Sequence, residues 1–247
     1  MTAAVQRPKQ EPALPLHNRE AVEQLAKEKD FLANAVKVFG FVAIALATAF
    51  NAAGFLVFAV AYKPLVAVQK IARLEIVSKD VLDRFEHLGV QVFPTQRVAD
   101  GTEKNPIDIF IRFPGKAHII LSIRSKGEAD IVYNEAKETL FVKRKGKGMR
   151  LWQPCPLVEL GDYANWLNKN RQIFGLSAKE VRNVPLAKVL VLWSPTKLDS
   201  HREHLYSKIG SIQLLALRRK GVAFVIHKEE ICDFIQAYLD SYEAKQA

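Results

Sequence analysis

Between Ile107 and Arg124 an apolar alternation carries a small set of polar residues. Odd positions are Ile107, Ile109, Ile111, Phe113, Ile119, Leu121 and Ile123, while Asp108, Arg112, His118, Ser122 and Arg124 stand at even ones. Alternate residues of a strand share one face of a sheet. A turn centred on Gly115, in Pro114-Gly115-Lys116, sets Asp108 opposite Ser122 and leaves Arg124 on the same face. A carboxylate at such a spot suits a hard divalent cation, and an arginine beside it can hold a phosphate although it is a poor base. Asp108 has a second reading, in which it bonds a neighbouring backbone amide. His118 lies on the Asp108 side, as a phosphate contact or as a surface strand residue.

A second candidate is electrostatic. Lys143, Arg144, Lys145, Lys147 and Arg150 put five cations into eight residues, and Gly146 and Gly148 suggest a flexible stretch. Together with Lys126 they form a candidate polyanion-binding set, for nucleic acid or for anionic lipid headgroups. A solvated loop is the alternative. Arg218, Arg219 and Lys220 form another basic cluster. His201 and His204 lack companions at zinc spacing, and no Gly-rich phosphate loop is present.

The elements that must position these groups alternate between strand and helix. Val90 to Val98 is strand-like, and Ile107 to Phe113 with His118 to Ile123 reads as a hairpin. A helix near 160–169, a strand at 187–193, a helix near 200–209, a strand at 222–226 and a final helix over 228–242 follow. This pattern predicts one α/β domain over residues 90–247.

The order of pieces resembles the nuclease-related domain, NERD, of the restriction-endonuclease-like superfamily. Pro106-Ile107-Asp108 looks like the first half of its site, and Leu121-Ser122-Ile123-Arg124-Ser125-Lys126 stands where the second half falls. Trp152-Gln153-Pro154-Cys155-Pro156-Leu157 then precedes a helix, and Val189-Leu190-Val191-Leu192-Trp193 follows. The resemblance covers roughly residues 75 to 240. It implies a restriction-endonuclease-like fold and, in its active members, metal-dependent phosphodiester cleavage. Ser122 replaces the metal-binding Glu of the family and Arg124 its Lys, so Asp108, Ser122 and Arg124 are degenerate catalytic positions, and Asp108 is the one metal ligand left. The expectation is impaired or absent nuclease activity. An active enzyme would need Mg²⁺ and a substitute carboxylate such as Glu135, in Glu135-Ala136-Lys137. A membrane scaffold recruiting proteins is the third reading.

Composition separates into two populations. The 247 residues carry a formal charge of +10 and are 49% hydrophobic, which excludes a chain disordered throughout, and two Cys exclude a disulfide framework. Phe39 to Tyr62 is a run of 24 uncharged residues, 20 of them hydrophobic, bounded by Lys37 and Lys63. As a single helix it would reach about 36 Å, and we read it as one transmembrane span. Thr48 and Asn51 within it are either tolerated or contacts of a homo-oligomer. Residues 1–17 read as a disordered tail, 18–38 as a juxtamembrane helix and 63–89 as a stalk helix that is also the first helix of the soluble domain and that Gly89 stops. The flanking cations tie, four against four, on the positive-inside count. The unpaired Cys and the basic C-terminal region, net +9 from residue 63 onward, place the soluble domain in the cytoplasm.

Overall fold

The computed structural model describes residues 14–49, 53–95 and 106–246. It is a mixed α/β structure with two sheets. Strands β1 (Gln91–Pro94), β2 (Ile109–Phe113) and β3 (Ala117–Arg124) form an antiparallel meander. On its far side β3 pairs in parallel with β7 (Leu186–Leu192), and β7 with β11 (Val222–His227). Two antiparallel strands, β10 (Ile212–Arg218) and β9 (Tyr206–Ile209), complete seven strands. The crossover from β3 to β7 carries three strands of the second sheet, β4 (Asp130–Asn134), β5 (Thr139–Arg144) and β6 (Gly148–Leu151), and β8 (Lys197–Leu198), which follows β7, completes it beside β4. Two helices follow β6, α3 (Pro156–Lys169) and α4 (Ala178–Asn183).

β3 is buried along almost its whole length, as expected of a strand covered on both faces. Its odd residues Ile119, Leu121 and Ile123 join Ile109, Ile111 and Phe113 of β2 in one core. That core is closed by α1 (Asn18–Ala49), α2 (Ala53–Phe85) and α5 (Ile231–Gln246), through Leu25, Leu74, Val81, Phe85 and Phe234. On the opposite face Phe110, Ile120 and Leu190 pack with Leu157 and Leu160 of α3 and with Phe174. Two apolar cores thus sandwich the large sheet, and the polar residues of its even face must find partners among the elements on that side.

Helices α1 and α2 run antiparallel. Arg19 reaches Asp83 and Glu86 at 2.9 and 2.8 Å, and Lys29 reaches Glu75 at 2.7 Å, so advancing along one helix moves the contact back along the other. The expected juxtamembrane and stalk segments are therefore the two arms of one helical hairpin, and α2 packs into the core as a first helix of the α/β domain. Gly89 follows the last turn in the left-handed conformation, φ 72°, where glycine carries no Cβ penalty. The expectation for 39–62 is a single span. Its residues divide between the end of α1 and the start of α2, with 50–52 outside the described residues. Among the described residues no helix is long and apolar enough to cross a membrane.

Further differences concern local geometry. Residues 143–150 belong to the β5–β6 hairpin instead of a flexible loop. The helix expected near 200–209 is a short 3-10 turn at Glu203–Leu205 followed by β9. There, Tyr206 to Ile209 pair with Ile212 to Leu215 across Gly210, whose φ of +55° suits the tight reversal. Residues 1–13 of the expected tail and 96–98 of the expected first strand lie outside the described residues. His17 is ordered, stacking on Phe93 at 5.1 Å.

Candidate functional site

β2 and β3 pair with Ile109 opposite Leu121. Asp108, immediately before β2, therefore falls opposite Ser122, the register that a turn at Gly115 predicts. Asp108 is only 1% exposed, and its carboxylate is saturated by positive partners. Arg124 Nη1 lies 2.5 Å from Oδ2, the amide of Ile123 donates to the same oxygen at 2.8 Å, and Lys70 Nζ sits 2.7 Å from Oδ1. Lys70 arrives from α2. Arg124 extends its other nitrogen, Nη2, to the hydroxyl of Tyr163 at 3.0 Å and towards Glu159 at 3.4 Å. Burial opposes the charge of Arg124, yet Asp108, Tyr163 and Glu159 more than offset it and hold its pKa above the ordinary value.

This constellation is an ion-pair network and does not fit a divalent cation. Among the described residues the carboxylate that the register sets opposite Ser122 is that of Asp108, and a cation, Arg124 or Lys70, lies against each of its oxygens. Ser122 is fully buried and its hydroxyl has no hydrogen-bond partner among the described residues. No group of three or more His, Cys, Asp or Glu able to hold a metal occurs among the described residues. Glu135, the substitute carboxylate, does not join Asp108. It follows β4 in the smaller sheet and pairs with His204 at 2.8 Å and Arg202 at 3.7 Å.

His118 lies on the same face further along β3, 1% exposed. Its Nε2 is 3.3 Å from Glu180 of α4, whose carboxylate is held bidentately by Arg112 at 2.8 and 2.9 Å. The expected surface position is corrected, because strands and α4 cover it, and His118 completes a buried network against Phe110. Burial pushes its pKa below the ordinary 6.5, and Glu180 only partly counters that shift. Between the folded and unfolded values the unfolded chain holds the proton and the folded chain does not, so stability rises with pH across that window. We expect stability to decline as pH falls through about 6.5. A ring titration by NMR should have its midpoint below that value, and His118→Gln should flatten this part of the stability profile.

The cations separate according to strand alternation. Across β5 and β6, Val142 pairs with Arg150 and Arg144 with Gly148, whereas Lys143 pairs with Met149. Arg144 and Arg150 thus share a face that Lys143 does not. That face opens onto a cleft of about 520 Å³, lined by Lys126, Arg144, Lys147 and Arg150 with Trp152 and Gln153. No lining residue is acidic. Lys126 Nζ stands over the Trp152 ring, 5.0 Å from its centroid, and the Lys126 amide donates to buried Thr196 at 2.7 Å. Burial, reinforced by Arg124 and Arg144, pushes the Lys126 pKa down. Arg144 donates to the Lys126 carbonyl at 3.1 Å, joining the cleft to the strand that ends at Arg124. Lys143 and Lys145 border a different cleft with Glu128 and Asp130, and Lys143 pairs with Asp199.

Three contributors escaped the sequence reading. Lys70 gives no local signal, because only tertiary packing carries it to Asp108. Glu159 and Tyr163 stand four apart on α3, a spacing that places them on one helix face and that marks them once the helix is assigned. The cluster Arg218, Arg219 and Lys220 is engaged in surface contacts. Arg219 donates to the carbonyls of Lys137 and Glu138, and Lys220 pairs with Asp162 at 2.8 Å. Compared with known proteins, the chain matches no protein-family model, no curated protein and no solved structure.

Proposed function

We propose that this chain is a NERD-like, restriction-endonuclease-like protein whose catalytic centre has become a structural ion pair, and that it binds nucleic acid in its basic cleft at a membrane surface. The observation that carries the reading is the cleft itself: four cations line one concavity free of acidic residues. Each phosphate neutralised there releases counterions, which favours a polyanion with closely spaced charges. A phosphodiester chain can enter a concave site and meet all four cations, whereas a planar layer of headgroups meets only its rim. Support for the nuclease-derived origin comes from Asp108, Ser122 and Arg124 meeting on adjacent strands, with Lys126 continuing from that centre into the cleft. Chemistry argues against retained cleavage, because Arg124 and Lys70 neutralise the carboxylate that a metal would need.

The test is binding and cleavage by the full chain, using labelled single- and double-stranded oligonucleotides beside anionic liposomes over a salt series. We expect oligonucleotide binding that weakens steeply with salt, and no cleavage in Mg²⁺ or Mn²⁺. Cleavage that disappears in Asp108→Asn would overturn the loss of catalysis. Binding to liposomes but not to oligonucleotides would overturn the choice of ligand.

A further inference from the structure

We propose that the apolar ends of α1 and α2, residues 39–49 and 53–62, form a monotopic anchor that enters one leaflet of a bilayer and returns. Both the N-terminal residues and the α/β body then lie on the same side. The inference gives the mode of the membrane attachment in the proposed function and rests on that part of it.

The hairpin changes character along its length. Near the sheet it is an ordinary amphipathic pair, with Leu25, Ile71 and Leu74 buried and the Arg19 and Lys29 ion pairs outside. Beyond Lys37 and before Lys63 no charge occurs on either helix. Val38, Phe39, Phe41, Val42 and Ile44 are all exposed, Phe41 to 76% and Ile44 to 60%. At about 100° per residue these five positions fan over about 220° of the circumference of α1, far wider than one stripe. A second copy of the chain would cover one side of such a helix and leave the others in water. Exposed apolar side chains fanned this widely call for a surrounding medium that is itself apolar, and the hydrocarbon of a bilayer is that medium.

The length agrees. Eleven residues of α1 from Phe39 to Ala49 rise about 16 Å, roughly half of a hydrocarbon core of about 30 Å. Each arm is too short to span, consistent with the lack of a crossing helix among the described residues. Lys37 and Lys63 bound the block in sequence, one on each arm, so charge is confined to the end of the hairpin that meets the body.

Flotation of the full chain with vesicles of phosphatidylcholine alone, at high salt, tests this independently of the basic cleft. We expect the protein to float. The variant Phe41→Lys/Ile44→Lys, altered at exposed positions, should lower the partition coefficient by about a hundredfold or more while oligonucleotide binding and thermal unfolding of the body stay unchanged. In sealed vesicles, protease should reach tags on both termini from the same side. Tags on opposite sides, absence of flotation, or unchanged flotation of the variant would each overturn the anchor. Failure of the cleft reading alone would instead appear as flotation without oligonucleotide binding.

Discussion

Replacing Arg124 with alanine should destabilise the protein by about 3 kcal/mol, the low end of the range for breaking a buried ion pair. Asp108 is 1% exposed and cannot recruit water when its principal partner is removed. The amide of Ile123 and Lys70 remain on the carboxylate, which is why the cost stays near the lower limit. For a chain of this size the melting temperature should fall by about 6–12 °C. The converse substitution, Asp108→Ala, leaves Arg124 partly exposed with Tyr163 and Glu159 still beside it. Its main penalty is the orphaned Ile123 amide, about 1–3 kcal/mol. Replacing both members together with apolar residues of similar volume should cost less than the sum of the single changes, because no buried charge is left uncompensated. Thermal or urea unfolding of the four variants in a double-mutant cycle measures the coupling directly. A coupling near zero would mean that the pair is incidental and that the reading of Asp108 and Arg124 as a structural ion pair is wrong.

The second large effect concerns the cleft. Changing Arg144, Lys147 and Arg150 together to glutamine should weaken binding of single-stranded nucleic acid by about 100-fold near 0.1 M salt, or about fivefold per phosphate contact. The same change should reduce the slope of log affinity against log salt by about 2, since each lost contact on a single strand contributes about 0.7. Stability should scarcely move, because all three side chains are exposed. The informative control is Lys143→Gln/Lys145→Gln. It alters the same run of sequence by a similar charge, but at residues bordering the other cleft, beside Glu128 and Asp130. Equal losses in the two variants would show that net charge, not the cleft, governs binding. Fluorescence anisotropy at several salt concentrations separates the outcomes.

The two candidate sites differ in how much of them could be read before the fold was known. Strand alternation alone put Asp108 with Ser122 and Arg124, because side chains on a strand alternate with period two and a single turn residue, Gly115, sets the register. The same rule, applied after the β5–β6 hairpin is seen, sorts Arg144 and Arg150 from Lys143. Reading that segment as a flexible loop hid the division. Glycine marked both places, but only pairing across the strands distinguishes a turn from a mobile stretch.

What the amino-acid order determined by itself is local: the polar face of the β2–β3 hairpin, the end of α2 before Gly89, the uncharged block from Phe39 to Tyr62, and the concentration of charge beyond it. What only the tertiary structure decided is which distant groups meet. The apolar block was long enough for one span, and hydropathy is blind to chain direction; it is the antiparallel contacts of Arg19 and Lys29 that divide it between two helices. Lys70 likewise becomes a partner of Asp108 through the packing of α2. Local periodicity specifies the face on which a residue lies, whereas long-range pairing depends on how whole faces bury against one another, and that is settled by the complete set of contacts in the fold.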